Sequence, residues 1–295
     1  MTMRTFAIFI GLTFALTWGL GALLFMAPDQ VQAVFGPVSY SNPLFILAVY
    51  SPGIAAVLLV LFHAGPQGLV RFLRRLMLWR MPWPWWLLLI VGVPAMFYVA
   101  AAIKGTIGDP LPFSPWYSIF PALLLALLVG PIEEFGWRGL ALPLLQRKLV
   151  PFWAAVVLGV IWAIWHIPAF FVSGSPQSAW SFPAFFIGVV AISVIVTPLF
   201  NAARGSLLVP ILLHFQTNGP AWPDAQPWDS AIFVAAAAVI VWLNRESMFQ
   251  PGAGATAVLS RVGARDPVAP VPSSTKPTLA NSALAARPDS GRGSP

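Results

Sequence analysis

Apolar residues run in long stretches through most of this chain, and the breaks between them fall at Pro, Gly or charged positions. Reading each stretch between such breaks gives helices over residues 5–26, 43–63, 85–103, 118–148, 152–172, 182–200, 205–219 and 229–244. Most of these approach the roughly 20 residues needed to cross the hydrocarbon core of a bilayer. The roughly ten-residue alternation of apolar and polar positions that a membrane barrel requires is not found. The pattern predicts an all-α, polytopic membrane helical bundle of about eight transmembrane helices.

Composition excludes a soluble globule. Hydrophobic residues occupy 58% of the 295 positions and charged residues 8%, with a mean hydropathy of +0.81, far more apolar surface than one water-facing core can hide. The chain has no cysteine, so disulfides, thiolate metal sites and thiol nucleophiles are excluded together, and any metal needs His and carboxylate ligands. The apolar stretch from Thr5 to Met26 is too long for a signal peptide and is followed by a poor cleavage site, so it reads as a retained first span. From about Ser247 the composition shifts to Ala, Pro, Gly, Ser and Thr with scattered Arg. Residues 1–246 are therefore expected to form a membrane-embedded domain and residues 247–295 a disordered cytoplasmic tail.

The net charge of +7 changes the picture once it is placed along the spans. With the N-terminus in the cytoplasm, Lys104 alone falls outside and Arg138 lies within the membrane, so the remaining 14 of the 16 basic residues are inside. Arg71, Arg74, Arg75 and Arg80 read as topology determinants, with contact to anionic lipid as a secondary role. Trp83, Trp85 and Trp86 suit an aromatic belt, and His63 an interfacial position. The basic excess is accounted for at the bilayer, and no nucleic-acid partner is expected. The expected location is a bacterial cell membrane with both termini cytoplasmic.

Against this apolar background a few polar residues stand out. Glu133, Glu134 and Arg138 follow the uncharged run 123–132, His166 closes the run from Val160, and His214 with Asn218 lies in the segment from Val209. Ionisable groups at such positions are costly, which points to function. At about 1.5 Å per residue, Glu133, Glu134, His166 and Asn218 all lie roughly 20–22 Å from the cytoplasmic ends of their helices, and Arg138 and His214 roughly 14–15 Å. The depth match requires the fourth helix to continue through Glu133. A Glu–Arg pair can merely pin a helix, and a lone intramembrane His commonly bonds a neighbouring helix; arrival from three helices at similar depth points instead to a site. The i,i+4 spacing pairs Glu134 with Arg138 and leaves Glu133 free as a general base. His214 and Asn218 repeat that spacing and can donate to one oxyanion, while His166 can orient the attacking water. The set suits hydrolysis of an amide.

These residues resemble the CPBP family, intramembrane endopeptidases that include CAAX prenyl proteases of the Ras-converting type and bacterial relatives linked to bacteriocin processing or self-immunity. The motif Glu-Glu-x-x-x-Arg is matched by Glu133, Glu134 and Arg138, and His-x-x-x-Asn by His214 and Asn218. Phe-x-x-x-His is matched at His166, but Trp162 stands where Phe is usual. An aromatic packing role survives that change, with a different pocket size. The resemblance spans residues 118–219. It implies that Glu133 activates water with His166 as partner, that His214 and Asn218 form the oxyanion hole, and that Glu134 and Arg138 support them. The implied substrate is a membrane-bound protein or a lipidated peptide. The family has been described both as glutamate-dependent and as metalloproteases. The reading adopted is cofactor-free, with zinc held by Glu133, His166 and His214 as the alternative. A non-proteolytic membrane protein, either an immunity factor or a small-solute carrier, is the alternative of a different class.

The charge distribution makes a direct prediction. Both termini should resist external protease in intact cells, and a reporter inserted near Asp224 should be external. A C-terminal reporter on the outer face would overturn the arrangement.

Overall fold

In a lipid-facing helix the outward positions are as apolar as the inward ones, so small and hydroxyl residues mark the packing face. The first helix, α1 (Met3–Met26), shows this plainly. Its buried positions are Thr5, Phe9, Thr13, Thr17, Gly21 and Leu24, spaced by three or four residues. Its exposed positions include Ile8, Leu12, Leu16 and Leu23. The Thr17 hydroxyl donates to Ala48 O at 2.9 Å and bonds the Ser51 hydroxyl. Ser51 in turn reaches Thr13 O at 3.3 Å, so α1 and its partner are joined by hydroxyls where no water is available to compete.

The computed structural model describes residues 1–39 and 42–260. After α1 come a short α2 (Pro28–Phe35), a long α3 (Pro43–Leu73) that continues through a 3₁₀ turn to Met77, and α4 (Trp83–Lys104). Then follow α5 (Trp116–Leu145), α6 (Pro151–Phe171), α7 (Phe182–Ala202), α8 (Leu208–Thr217), α9 (Trp228–Leu243) and α10 (Arg245–Phe249). Helix α1 lies against α3, and α7 packs between α6 and α9. Among the described residues there is no strand. The architecture is a polytopic helical membrane bundle.

All eight expected segments are helical, but only six are long and apolar enough to cross a membrane. Helix α8 has 10 residues and α9 has 16, or about 15 Å and 24 Å of rise. The seventh and eighth expected segments, 205–219 and 229–244, are thus present as the shorter apolar helices of the bundle. Helix α8 begins beyond Gly205 and Ser206 and ends before Gly219-Pro220.

The fourth expected helix does run from Trp116 to Leu145, but not as one regular α-helix. It is α-helical to Leu128, bends at Val129-Gly130, and resumes as a 3₁₀ turn over Pro131–Glu133. One α-turn at Glu134–Gly136 then leads into a π-helical stretch, Trp137–Ala141. Prolines explain the irregularity, because each removes a backbone donor and leaves a carbonyl one turn back without its partner. Near the break at Pro131, the Tyr50 hydroxyl donates to Leu128 O at 2.8 Å. Pro143 cannot bond Gly139 O, and Arg75 Nη1 takes that oxygen at 2.6 Å. At Gly136 a Cβ would lie 2.6 Å from Pro52 O, so glycine there lets α3 and α5 meet backbone to backbone.

Two further expectations are corrected at this end of the bundle. Arg75, read with its neighbours as a topology determinant with lipid contact as a secondary role, is buried and also donates to Gly205 O (2.7 Å), Val258 O (2.9 Å) and Arg138 O (3.4 Å). The chain also stays packed beyond residue 246. Met248 and Val258 are buried, and residues 250–260 form a strap whose carbonyls are taken by side chains of the bundle. Arg147 donates to Thr256 O through Nε and Nη2 (3.0 and 2.8 Å), and Arg71 Nε donates to Ser260 O (2.9 Å). A strap so poor in apolar residues is ordered because these arginines satisfy its backbone. The rest of the expected tail, residues 261–295, lies outside the described residues.

Arg75→Ala should destabilise the protein by about 3 kcal/mol or more, since it strands several buried carbonyls. Arg74→Ala, at an exposed position, should change stability by less than about 0.5 kcal/mol. Thermal unfolding in detergent compares the two, and equal effects would remove the anchoring role.

Candidate active site

The bend at Val129-Gly130 redirects α5 so that the turn after Pro131 carries Glu133 and Glu134 into the bundle, where they are 3% and 1% exposed. The two carboxylates go to different neighbours. Glu134 Oε1 accepts from Arg138 Nη1 at 2.9 Å, the i,i+4 pair, and from His214 Nδ1 at 2.8 Å. Glu133 Oε2 accepts from two indoles, Trp162 Nε1 at 2.9 Å and Trp137 Nε1 at 3.2 Å.

Trp162 sits at the centre of this cluster. Its ring lies under the Arg138 guanidinium, 4.4 Å from the centroid, a cation–π contact strengthened by burial. The same ring meets His214 and His166 at centroid separations of 5.4 and 5.7 Å. His166 follows the long part of α6, Pro151–Trp165, where the helix tightens before Pro168; its amide bonds Ala163 O. Its Nδ1 bonds Trp162 O at 2.8 Å. A carbonyl can only accept, so the proton is on Nδ1 and Nε2 of the neutral ring is left as an acceptor.

Glu133, His166, His214 and Asn218 line one cavity of about 80 Å3. Thr17, Gly21 and Leu24 of α1 and Phe45, Ala48 and Val49 of α3 complete its largely apolar wall. Glu134 and Arg138 do not line it; they sit behind His214. Gly130 shapes the remaining side. A Cβ there would collide with Asn218 Nδ2 and lie 3.1 Å from His214 Nε2, so both nitrogens border one small space kept open by the missing side chain. Asn218, which follows the last residue of α8, also borders an outer cavity of about 310 Å3 that contains Trp180, Trp222, Asp224 and Asp229.

The structure places Glu133, Glu134, Arg138, Trp162, His166, His214 and Asn218 in or directly behind this cavity, while His63 lies apart against the Thr5 hydroxyl. Three contributors were missed in the sequence. Trp137 was not singled out, although a Trp four residues after a Glu offers an N–H on the same helix face. Gly130 was not singled out either. The contribution of α1 carries no signal, because its lining residues are ordinary packing residues of a membrane helix.

Among the described residues no three His, Asp or Glu side chains are grouped so as to hold a metal ion. His166 and His214 each spend Nδ1 on a neighbour, Trp162 O and the Glu134 carboxylate, and one oxygen of Glu133 accepts from two indole donors.

Residues 115–219 match the family model described as type II CAAX prenyl endopeptidase Rce1-like. A curated relative, CAAX prenyl protease 2 of Methanococcus maripaludis, is 34% identical over 141 residues, which covers 44% of this chain and 52% of the relative. The chain thus spans about half the length of the curated relative it matches, and the matched family segment contains Glu133, His166, His214 and Asn218.

The two carboxylates should respond differently to mutation. Arg138→Ala leaves a buried carboxylate without its partner and should cost about 3–5 kcal/mol. Glu133→Gln keeps the shape and an acceptor for the indoles, and should unfold close to wild type. Equal destabilisation in thermal unfolding would reverse the roles assigned to the two glutamates.

Proposed function

We propose that this integral membrane protein, whose residues 115–219 match the Rce1-like CAAX prenyl endopeptidase family model, is an intramembrane endopeptidase that hydrolyses membrane-associated substrates. The observation that carries the proposal is the convergence of Glu133, His166, His214 and Asn218 on one cavity, with two nitrogens bordering the space beside Gly130.

In this mechanism Glu133 accepts a proton from water as the water oxygen attacks the scissile carbonyl, and the carbonyl π pair moves onto oxygen. The resulting oxyanion sits beside Gly130, where Asn218 Nδ2 donates to it. His214, held through Nδ1 by the Glu134 carboxylate, presents Nε2 to the same oxyanion. His166 Nε2 accepts a hydrogen bond from the attacking water and so orients it. When the C–N bond breaks, the proton held by Glu133 goes to the leaving amine, which returns the carboxylate to its starting state. Arg138 balances the charge of Glu134 and keeps it in place. No metal enters any step.

The substrate proposed is a lipidated peptide or protein whose chain enters from the bilayer. The apolar walls of the cavity and the name of the archaeal relative both favour a prenylated C-terminal segment.

Purified protein should cleave a farnesylated CAAX-terminated reporter peptide in nanodiscs, and Glu133→Gln should abolish cleavage. Asn218→Ala should lower kcat by about 100 to 1000-fold with KM little changed, the usual cost of one oxyanion donor. Activity should survive exhaustive chelation. Stoichiometric metal whose removal and return switches activity would overturn the metal-free mechanism. Cellular membrane peptides that are the same with wild type and Glu133→Gln, together with an intact reporter, would overturn the peptidase reading.

A further inference from the structure

A general base works only if its free oxygen is held toward the water it deprotonates. Glutamate has three side-chain torsions, so burial alone does not fix which oxygen faces the cavity. In this chain both hydrogen bonds to Glu133 fall on the same oxygen. Trp162 Nε1 and Trp137 Nε1 donate to Oε2, and among the described residues no hydrogen bond is made to Oε1.

The two indoles are themselves immobilised. Trp137 is fully buried, with edge contacts to Phe9 at 5.4 Å and Trp165 at 5.7 Å. Trp162 is held by Arg138 over its face and by both histidines at its edges. One donor comes from the same helical stretch as Glu133 and the other from α6, so the carboxylate is fixed between two elements. A phenylalanine at position 162 would keep the ring under Arg138 and the carbonyl that takes His166 Nδ1. It would lose the N–H on Glu133.

We infer that Trp162 and Trp137 are positioning residues that clamp Oε2 of Glu133 between two indole N–H groups and so turn Oε1 into the cavity as the proton-accepting oxygen. The inference rests on the proposed peptidase reading and adds to it a part that the tryptophan at position 162 makes possible. Donors on one oxygen also draw the carboxylate charge toward Oε2 and fix the plane of the group. Misplacement of a reacting group by about 1 Å is enough to cost roughly 100-fold in rate.

The test uses the full chain in nanodiscs and has one arm that needs no turnover. With indole 15N labelling, the 14 tryptophans give 14 side-chain N–H signals. Trp137→Phe and Trp162→Phe identify two of them by their disappearance. Both should move on Glu133→Ala, which removes the shared acceptor, while signals from distant tryptophans stay in place. In the kinetic arm, with the farnesylated reporter, Trp162→Phe should lower kcat by about 10 to 100-fold with KM and thermal stability unchanged.

Indole signals that ignore Glu133→Ala would overturn the clamp. So would an unchanged kcat in Trp162→Phe, a change confined to KM, or a loss of rate matched by a loss of stability, since each assigns the indole to packing. These failures need an active wild type, and so they differ from failure of the peptidase reading. In that case wild type cleaves nothing and the positioning role falls with it, even where the indole signals report the bond.

Discussion

Glu134 gives one oxygen to two partners, Arg138 on its own helix and His214 on α8, and the geometry of the cavity hangs on that shared atom. In a low-dielectric interior a carboxylate without a cation is expelled or protonated, and a cation without a carboxylate fares no better. Helix α8 is only ten residues long and has little apolar length with which to fix its own depth. The bond from His214 to Glu134 sets that depth. It also decides which imidazole nitrogen faces Gly130 and where Asn218 falls, one turn further on. Arg138, locked to the same oxygen, lies flat on Trp162, and Trp162 in turn contacts Glu133 and His166. One buried ion pair thus orders groups that arrive on three helices.

The irregular backbone of α5 follows from the same need to satisfy every polar atom away from water. Pro143 frees a carbonyl that a regular helix would have used, and Pro131 follows directly on the bend. On either side of Glu133–Arg138, side chains from α3 and its 3₁₀ extension supply donors, Tyr50 to Leu128 O at the bend and Arg75 to Gly139 O, which Pro143 cannot bond. The bend turns the glutamates inward, and the π-helical stretch carries Arg138 back toward Glu134. A straight helix would have needed neither Tyr50 nor Arg75 and would have left the carboxylates on a different heading.

The helical membrane architecture was legible in the apolar stretches, because bilayer thickness converts directly into segment length. The polar members of the cavity were legible for a complementary reason: Glu133, Glu134, Arg138, His166, His214 and Asn218 are conspicuous where charge is expensive. What escaped is chemistry carried by residues that suit a membrane without any special role. Trp137 and Trp162 read as apolar mass, and their N–H groups show their use only once Glu133 is in place. Arg75 read as one of a surface cluster, since a sequence does not say that prolines and a strap have left carbonyls for it to hold. Helix α8 was read over residues 205–219 and is shorter at both ends, because Gly205-Ser206 and Asn218-Gly219 do not continue the helix.

The strap over residues 250–260 is gripped by Arg71, Arg75 and Arg147 through main-chain carbonyls. A guanidinium that holds a carbonyl does not read the side chain attached to it. Thr256 is therefore recognised as backbone, and little of its amino-acid identity is specified by the grip, whereas Ser260 also donates its hydroxyl to Arg71 O. Val258, whose side chain enters the core, is the point at which the strap's register is set. Among related chains this segment is free to drift in sequence while keeping its path, provided the three arginines and one apolar anchor remain, so its likeness would be visible in shape long after it had faded from an alignment.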